Sequence, residues 1–195
     1  MNSPNLAKLE LETERLVLRV SDENFVGVIL DYFKRNEEFL REWEAVKDHK
    51  FYTIHYQQEA LRDEISRIAA GGTFRVWLFR KSDGFSRTIG SVALNNIVYG
   101  AFHSCHLGYR LDGEEINQGY MTEALKKVIE FAFNTMGLHR IEANILPRNM
   151  RSMRVVEKLG FYNEGLAKKY LRINGKWEDH IHMVLLNEAL HALND

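Results

Sequence analysis

Apolar residues recur along this chain with two periods, and the switches between them outline its elements. Residues 15–20, Arg-Leu-Val-Leu-Arg-Val, alternate as a half-buried strand does. Phe25, Val28, Ile29, Tyr32 and Phe33 follow at helical spacing, with Ser21 placed to cap that helix. A second helical piece is expected over residues 37–44. A third, over residues 56–70, carries Leu61, Ile65, Ile68 and Ala69 on one face and ends at Gly71-Gly72. Strand patterns then take over at residues 74–79, 89–94 and 103–111, separated by turns at Ser82-Asp83-Gly84 and Tyr99-Gly100. Leu125, Val128, Ile129, Ala132, Phe133 and Met136 restore the helical period behind Gly119, and Gly137 closes that helix. Residues 140–146 form a fifth strand stopped by Pro147, and a further helix is expected over residues 150–159. Asn174-Gly175 fits a two-residue primed turn, so residues 170–173 and 180–185 should close the chain as a hairpin. Strands alternating with helices place the chain in the α/β (α+β) class.

Composition narrows the class without naming a reaction. A chain of 195 residues with 45% apolar content can bury one core and lies below the length at which cores split, so one domain over residues 1–195 is expected. Lys plus Arg number 26 and Asp plus Glu 27, and a net charge of −1 offers no general attraction for nucleic acid. Residues 1–8 lack a basic stretch followed by an apolar run, and no span approaches the roughly 18 apolar residues of a membrane helix. A cytoplasmic protein with no membrane partner is therefore expected. Cys105 is alone, which rules out an internal disulfide.

The chemistry concentrates where a strand, a glycine and a helix follow one another. The first N–H groups of a helix have no partners within it, and together with the positive end of the dipole they make an anion site, so Gly119-Tyr120-Met121-Thr122 reads as a seat for phosphate or pyrophosphate. Asn149 and Ser152 share with Val156 and Leu159 the inward side of the later helix, where polar groups need partners; Asn149 can serve as its N-cap. His103-Ser104-Cys105-His106 holds zinc-type ligands, but strand geometry turns His106 away from His103 and Cys105, so no metal is expected.

Taken together, the run from Ile97 to Tyr109, then Gly119 to Leu125, His139-Arg140-Ile141-Glu142-Ala143-Asn144, Pro147 to Ser152, Leu159-Gly160-Phe161, Glu164-Gly165 and Gly175 to His180 resemble the GNAT N-acetyltransferases. The likeness spans roughly residues 11–186 and leans toward the branch that acetylates the N-terminal alanine of ribosomal proteins. It implies a mixed, mostly antiparallel sheet of about seven strands flanked by four or more helices, acetyl-CoA as cosubstrate, and a protein N-terminus as acceptor, in a monomer or homodimer. Acetylation of a polyamine or an aminoglycoside is the enzymatic alternative, and a non-catalytic acetyl-CoA-binding ribosome-assembly factor the other.

The same likeness assigns roles. Gln118, Gly119, Tyr120, Met121 and Thr122 would hold the pyrophosphate through backbone N–H groups, although Ile116 and Met121 stand where that motif usually has Gln or Arg and Gly or Ala. Asn149 would contact the pantetheine arm, Ser152 would protonate the departing thiolate, and a backbone N–H of the strand at Tyr109 and Leu111 would meet the carbonyl oxygen. The glutamate that related enzymes carry on the fifth strand is replaced by Asn144. Glu142 lies two residues away on the same face, and Glu44 is a second carboxylate near the expected acceptor cleft. Arg148, Arg151, Arg154 and Lys158, with Lys126 and Lys127, form a basic face that suits a ribose phosphate or ribosomal RNA.

Overall fold

A computed structural model describes residues 6–191. The start of the chain, on which the expectation of no targeting segment largely rests, lies outside them. One sheet runs through the molecule: β1 (Glu10–Glu12), β2 (Leu16–Arg19), β3 (Phe74–Arg80), β4 (Thr88–Val98), β5 (Ser104–Leu111), β6 (Arg140–Ile145), β7 (Tyr162–Ile173) and β8 (Lys176–Leu186), in the order β1-β2-β3-β4-β5-β6-β8-β7. Every neighbouring pair is antiparallel except β5 and β6, which are parallel. The helices are α1 (Val26–Arg35), α2 (Glu37–Arg41), α3 (Ile54–Ala69), α4 (Tyr120–Asn134), α5 (Met150–Lys158) and a short α6 (Glu188–His191).

The mixed, mostly antiparallel sheet is the expected one of about seven strands, and it counts eight with the three-residue β1 paired to β2. Strand β7 also begins at Tyr162 rather than residue 170. Asp22, not Ser21, caps the first helical turn: its carboxylate accepts from Asn24 N–H at 2.9 Å, and Ser21 is buried with an unpartnered hydroxyl. An α4 that ends at Asn134 is shorter than expected, and Gly137 at φ +67° turns the chain after it.

Both faces of the sheet are covered, and β3 shows how the period of two serves both. Phe74, Val76 and Leu78 point into the cluster that includes Met121, Leu125 and Val128 of α4, with Met153 and Val156 of α5. Trp77 and Phe79 point the other way, against Ile29, Tyr32 and Phe33 of α1 and Leu61 of α3. Fully burying a side chain of this size is worth about 1.5–3 kcal/mol, so these two layers supply the rigidity on which the site stands.

Pairing between β5 and β6 covers only Ser104↔Arg140, Cys105↔Ile141 and His106↔Glu142. Beyond those residues each strand stays paired on its outer side, β5 with β4 and β6 with β8, while the inner edges part. The resulting wedge opens directly beside the start of α4.

Candidate active site

A cleft of about 550 Å³ fills the wedge. Leu107, Gly108, Tyr109, Arg110 and Leu111 of β5 form one wall, and Ala143, Asn144, Ile145 and Leu146 form the other. Ile116, Asn117, Gly119, Met121 and Thr122 border one end, Asn149, Ser152, Arg154 and Lys158 another, and Trp43, Glu44 and His180 a third.

The loop before α4 is fastened from behind, which leaves its backbone free toward the cleft. Arg35 Nε lies 2.7 Å from Asp112 Oδ2, Arg87 Nη2 reaches the same oxygen at 3.1 Å, and Gly113 N–H donates to Asn36 Oδ1 at 2.9 Å. Burial raises the Asp112 carboxyl, but Arg35, Arg87 and neighbouring N–H donors outweigh it and hold it below the ordinary range. Arg80 meets Glu115 at 3.0 Å, and Gln118 Nε2 donates to the other Glu115 oxygen at 3.1 Å. Arg15 donates to the Gln118 carbonyl at 3.0 Å, pairs with Glu123 at 2.7 Å and lies 4.4 Å over the Tyr120 ring. Gln118 and Tyr120 are thus part of the loop's support and do not line the cleft, whereas Gly119, Met121 and Thr122 do.

Gly119 is the N-cap of α4 at φ +82°, with no side chain capping the helix. The first-turn N–H groups of an α-helix lack intrahelical acceptors, and here that end borders an open wedge. A left-handed residue disfavours any side chain, and an added Cβ would come 3.4 Å from Arg15 Nη2. These features fit a pyrophosphate at this end and an extended thioester arm between the strands.

At the middle of the wedge Tyr109 and Ser152, 43 residues apart, meet: their hydroxyl oxygens are 2.5 Å from each other, and Tyr109 O–H also reaches the Ser152 carbonyl at 3.1 Å. Burial pushes the Tyr109 phenol up to about 12, against the pull of the Ser152 hydrogen bond, so it stays protonated and acts as a donor. Asn149 caps α5, its Oδ1 accepting from Ser152 N–H at 3.1 Å, and so fixes the backbone that carries the serine. Arg154 and Lys158 follow along the same helix, and among the described residues neither has a carboxylate partner. Arg148 instead joins Glu178 at 3.2 Å.

The two candidate carboxylates have different surroundings. Glu44 lines the cleft, bound to Lys47 at 2.7 Å and to Arg110 at 3.2 Å. Burial raises its carboxyl, and the charges of Arg110 and Lys47 more than offset that. Glu142 sits at the last paired residue of β6 and is not among the cleft's lining residues. It bonds Arg140 at 2.9 Å, with His182 at 3.4 Å and His106 at 3.6 Å; burial raises its carboxyl, but Arg140, the Asn144 side chain and the two histidines hold it below the ordinary carboxylate range. An anionic carboxylate so far below neutral pH is a weak proton acceptor.

Cys105 is buried in the core, where burial pushes its thiol up to about 12, and His106 faces Glu142 on the other side of the strand. Among the described residues no group of three His, Cys, Asp or Glu side chains is arranged to hold a metal ion, and no helix is long and apolar enough to cross a membrane. Reasoning from sequence missed Tyr109's hydroxyl, which only the folded sheet brings to Ser152, and it passed over His180, whose spacing from Glu178 and His182 marks one strand face.

Comparison with known proteins agrees with this geometry. Residues 11–162 match the family model described as an acetyltransferase (GNAT) domain. The [Ribosomal protein uS5]-alanine N-acetyltransferase of Escherichia coli (strain K12) is 36% identical over 179 residues, covering 91% of this chain and 90% of that protein. The crystal structure of ribosomal-protein-S5-alanine acetyltransferase from Vibrio fischeri superposes with a TM-score of 0.87 at 35% identity, covering 93% of this chain and 98% of that one. Mycobacterium smegmatis RimJ, solved in complex with CoA-disulfide, shares the fold with a TM-score of 0.88 at 22% identity over 97% of this chain and 92% of that one. The chain belongs to the GNAT family of N-acetyltransferases.

Proposed function

We propose that the protein transfers the acetyl group of acetyl-CoA to the N-terminal α-amine of a protein, with a ribosomal protein as the acceptor class. The observation that carries the donor half is the wedge between β5 and β6 opening beside an uncapped, glycine-led helix N-terminus. Gly119, Met121 and Thr122 would hold the pyrophosphate through N–H groups, with Arg154 and Lys158 as cations at the rim and Asn149 beside the pantetheine arm. Acetyl-CoA would supply an activated thioester carbonyl. The relative from Escherichia coli, named as an alanine N-acetyltransferase of ribosomal protein uS5, supports the acceptor half.

This chain's own groups then have defined tasks. Backbone N–H groups of Tyr109 or Leu111 on the parted edge of β5 would donate to the carbonyl oxygen as charge develops on it. The Tyr109 and Ser152 hydroxyls would give a proton to the leaving sulfur. Glu44, an anion that lines the cleft between Lys47 and Arg110, would be the carboxylate that meets an incoming ammonium group. The test is incubation with acetyl-CoA and an alanine-initiated peptide, a polyamine or an aminoglycoside while free thiol is followed. Preferential release with the peptide is expected. Release only with a small amine gives that class the acceptor site, and binding of acetyl-CoA with no release under any condition leaves a non-catalytic protein.

A further inference from the structure

Attack on a thioester needs a neutral amine and a destination for the proton that the nitrogen sheds. Neither carboxylate near the cleft suits that task, since Glu44 and Glu142 are both bound by cations and held anionic well below neutral pH. One imidazole has the right placement. His180 is buried, lines the cleft and projects from β8 on the face that also carries Glu178 and His182. Its Nδ1 lies 3.1 Å from the Glu178 carbonyl oxygen. A carbonyl can only accept, so Nδ1 carries the hydrogen and Nε2 of the neutral ring keeps a lone pair.

Asn144, on the facing wall of the cleft, ties this ring to its surroundings. Asn144 Oδ1 is buried with no hydrogen-bond partner, while Asn144 Nδ2 lies 3.5 Å from the Tyr170 hydroxyl. The Tyr170 ring stands 5.7 Å from the His180 ring and 4.9 Å from that of His182, so one aromatic wall fixes both imidazoles.

Resting on the acetyltransferase reading, we propose that His180 is the general base of the reaction, its Nε2 taking the proton from the acceptor amine. As the N–C bond forms and the C–S bond breaks, the nitrogen's proton passes to Nε2, the sulfur recovers a proton from the Tyr109 and Ser152 hydroxyls, and the imidazolium and the hydroxyl pair then re-equilibrate with solvent. The groups facing the ring are Glu178 and His182 on β8, Arg148 on the loop after β6, Tyr170 on β7 and Asn144 on β6. Burial pushes the imidazole below the usual histidine value, with His182 and Arg148 adding to the effect and Glu178 opposing it. The ring is therefore neutral at pH 7.

The first test needs no turnover. Side-chain ¹⁵N NMR of the protein alone should show His180 neutral at pH 7 with its hydrogen on Nδ1; a protonated ring or a hydrogen on Nε2 overturns the proposal. The second compares the native chain with His180→Asn, which keeps an N–H donor in place of Nδ1, and with His180→Gln. Both should bind acetyl-CoA within a few fold of the native protein by calorimetry, and kcat should fall about 10²–10⁴-fold. The acidic limb of the native kcat/KM profile, lying below about pH 6.5, should vanish, leaving a rate that climbs with the amine's own ionisation near about pH 8. Variants that keep the parent kcat and acidic limb remove His180 from the mechanism and leave the acetyltransferase reading intact. A native protein that releases no thiol with any amine overturns that reading and this proposal together. Should either variant melt too early to assay, the NMR result on the native chain decides.

Discussion

Replacing Gly119 separates the conformational demand at the start of α4 from the electrostatic one. A left-handed conformation costs an L residue about 1–2 kcal/mol, and Gly119 sits at φ +82°. The added Cβ would lie at 3.4 Å from Arg15 Nη2, an ordinary contact, so Gly119→Ala carries little beyond that strain. For a chain of this length each kcal/mol moves Tm by about 2–4 °C, which places the alanine variant about 2–8 °C below the native protein. Gly137 supplies the control. It sits at φ +67° with nothing within 4 Å of its Cβ position, so Gly137→Ala should lower Tm comparably while acetyl-CoA affinity stays at the native value. Gly119→Glu adds a carboxylate where a phosphate should lie. Two such charges about 4 Å apart repel by about 1 kcal/mol in water and about 4 kcal/mol at an effective dielectric constant of 20. Gly119 is exposed, so the lower part of that range applies, about 1–3 kcal/mol or about 5- to 150-fold in Kd. Calorimetric titration with acetyl-CoA at two salt concentrations reads it, and the penalty should shrink as salt screens the pair. A Gly119→Glu protein that melts like Gly119→Ala yet binds acetyl-CoA as tightly as Gly137→Ala would refute the phosphate site.

Ser152→Ala should lower kcat about tenfold or more while acetyl-CoA affinity stays within a few fold, and steady-state kinetics beside calorimetry would show it; equal losses in both would make Ser152 a binding residue. Glu44→Gln should raise KM for a cationic peptide and weaken its salt dependence, with kcat little changed, because the carboxylate attracts the amine without taking its proton. Asp112→Asn should cost about 2–3 kcal/mol by leaving Arg35 and Arg87 without their shared anion, a loss measurable by chemical denaturation. The pH dependence follows from the same group. The Asp112 carboxyl is depressed in the folded state, so its stabilisation is fully present above the ordinary aspartate value near about 4 and is lost as pH falls through the lower folded value. The native protein should therefore lose stability below about pH 4 more steeply than Asp112→Asn does.

Which parts of this molecule can be read from the sequence depends on whether a local pattern or a long-range meeting creates them. α4 and β3 are written in periodic apolar residues that face a core, and Asn174-Gly175 turns at φ +44° and +79° as its dipeptide suggests. Most of β7 escapes such reading because none of its 12 residues is buried, so Tyr162 to Lys169 shows no alternation. Ser21 and Asp22 are adjacent cap-type residues, and only burial of the serine decides between them. In the site, the helix start and the Asn149 cap are local and visible. The meeting of Tyr109 with Ser152 depends on where β5 parts from β6, and the neutralisation of Glu44 by Arg110 on how residues around position 44 fold over β5. A carboxylate in a sequence carries no sign of the cations that will surround it.

Acetyl transfer to a protein N-terminus is tested most directly by locating the acetyl group on a peptide that offers two amines. An alanine-initiated peptide with an internal lysine, incubated with acetyl-CoA and the protein and then fragmented in a mass spectrometer, should carry one acetyl group on the alanine α-amine, with one free thiol released for each. A peptide acetylated on the lysine, or left unmodified while a polyamine or an aminoglycoside is acetylated, would contradict it.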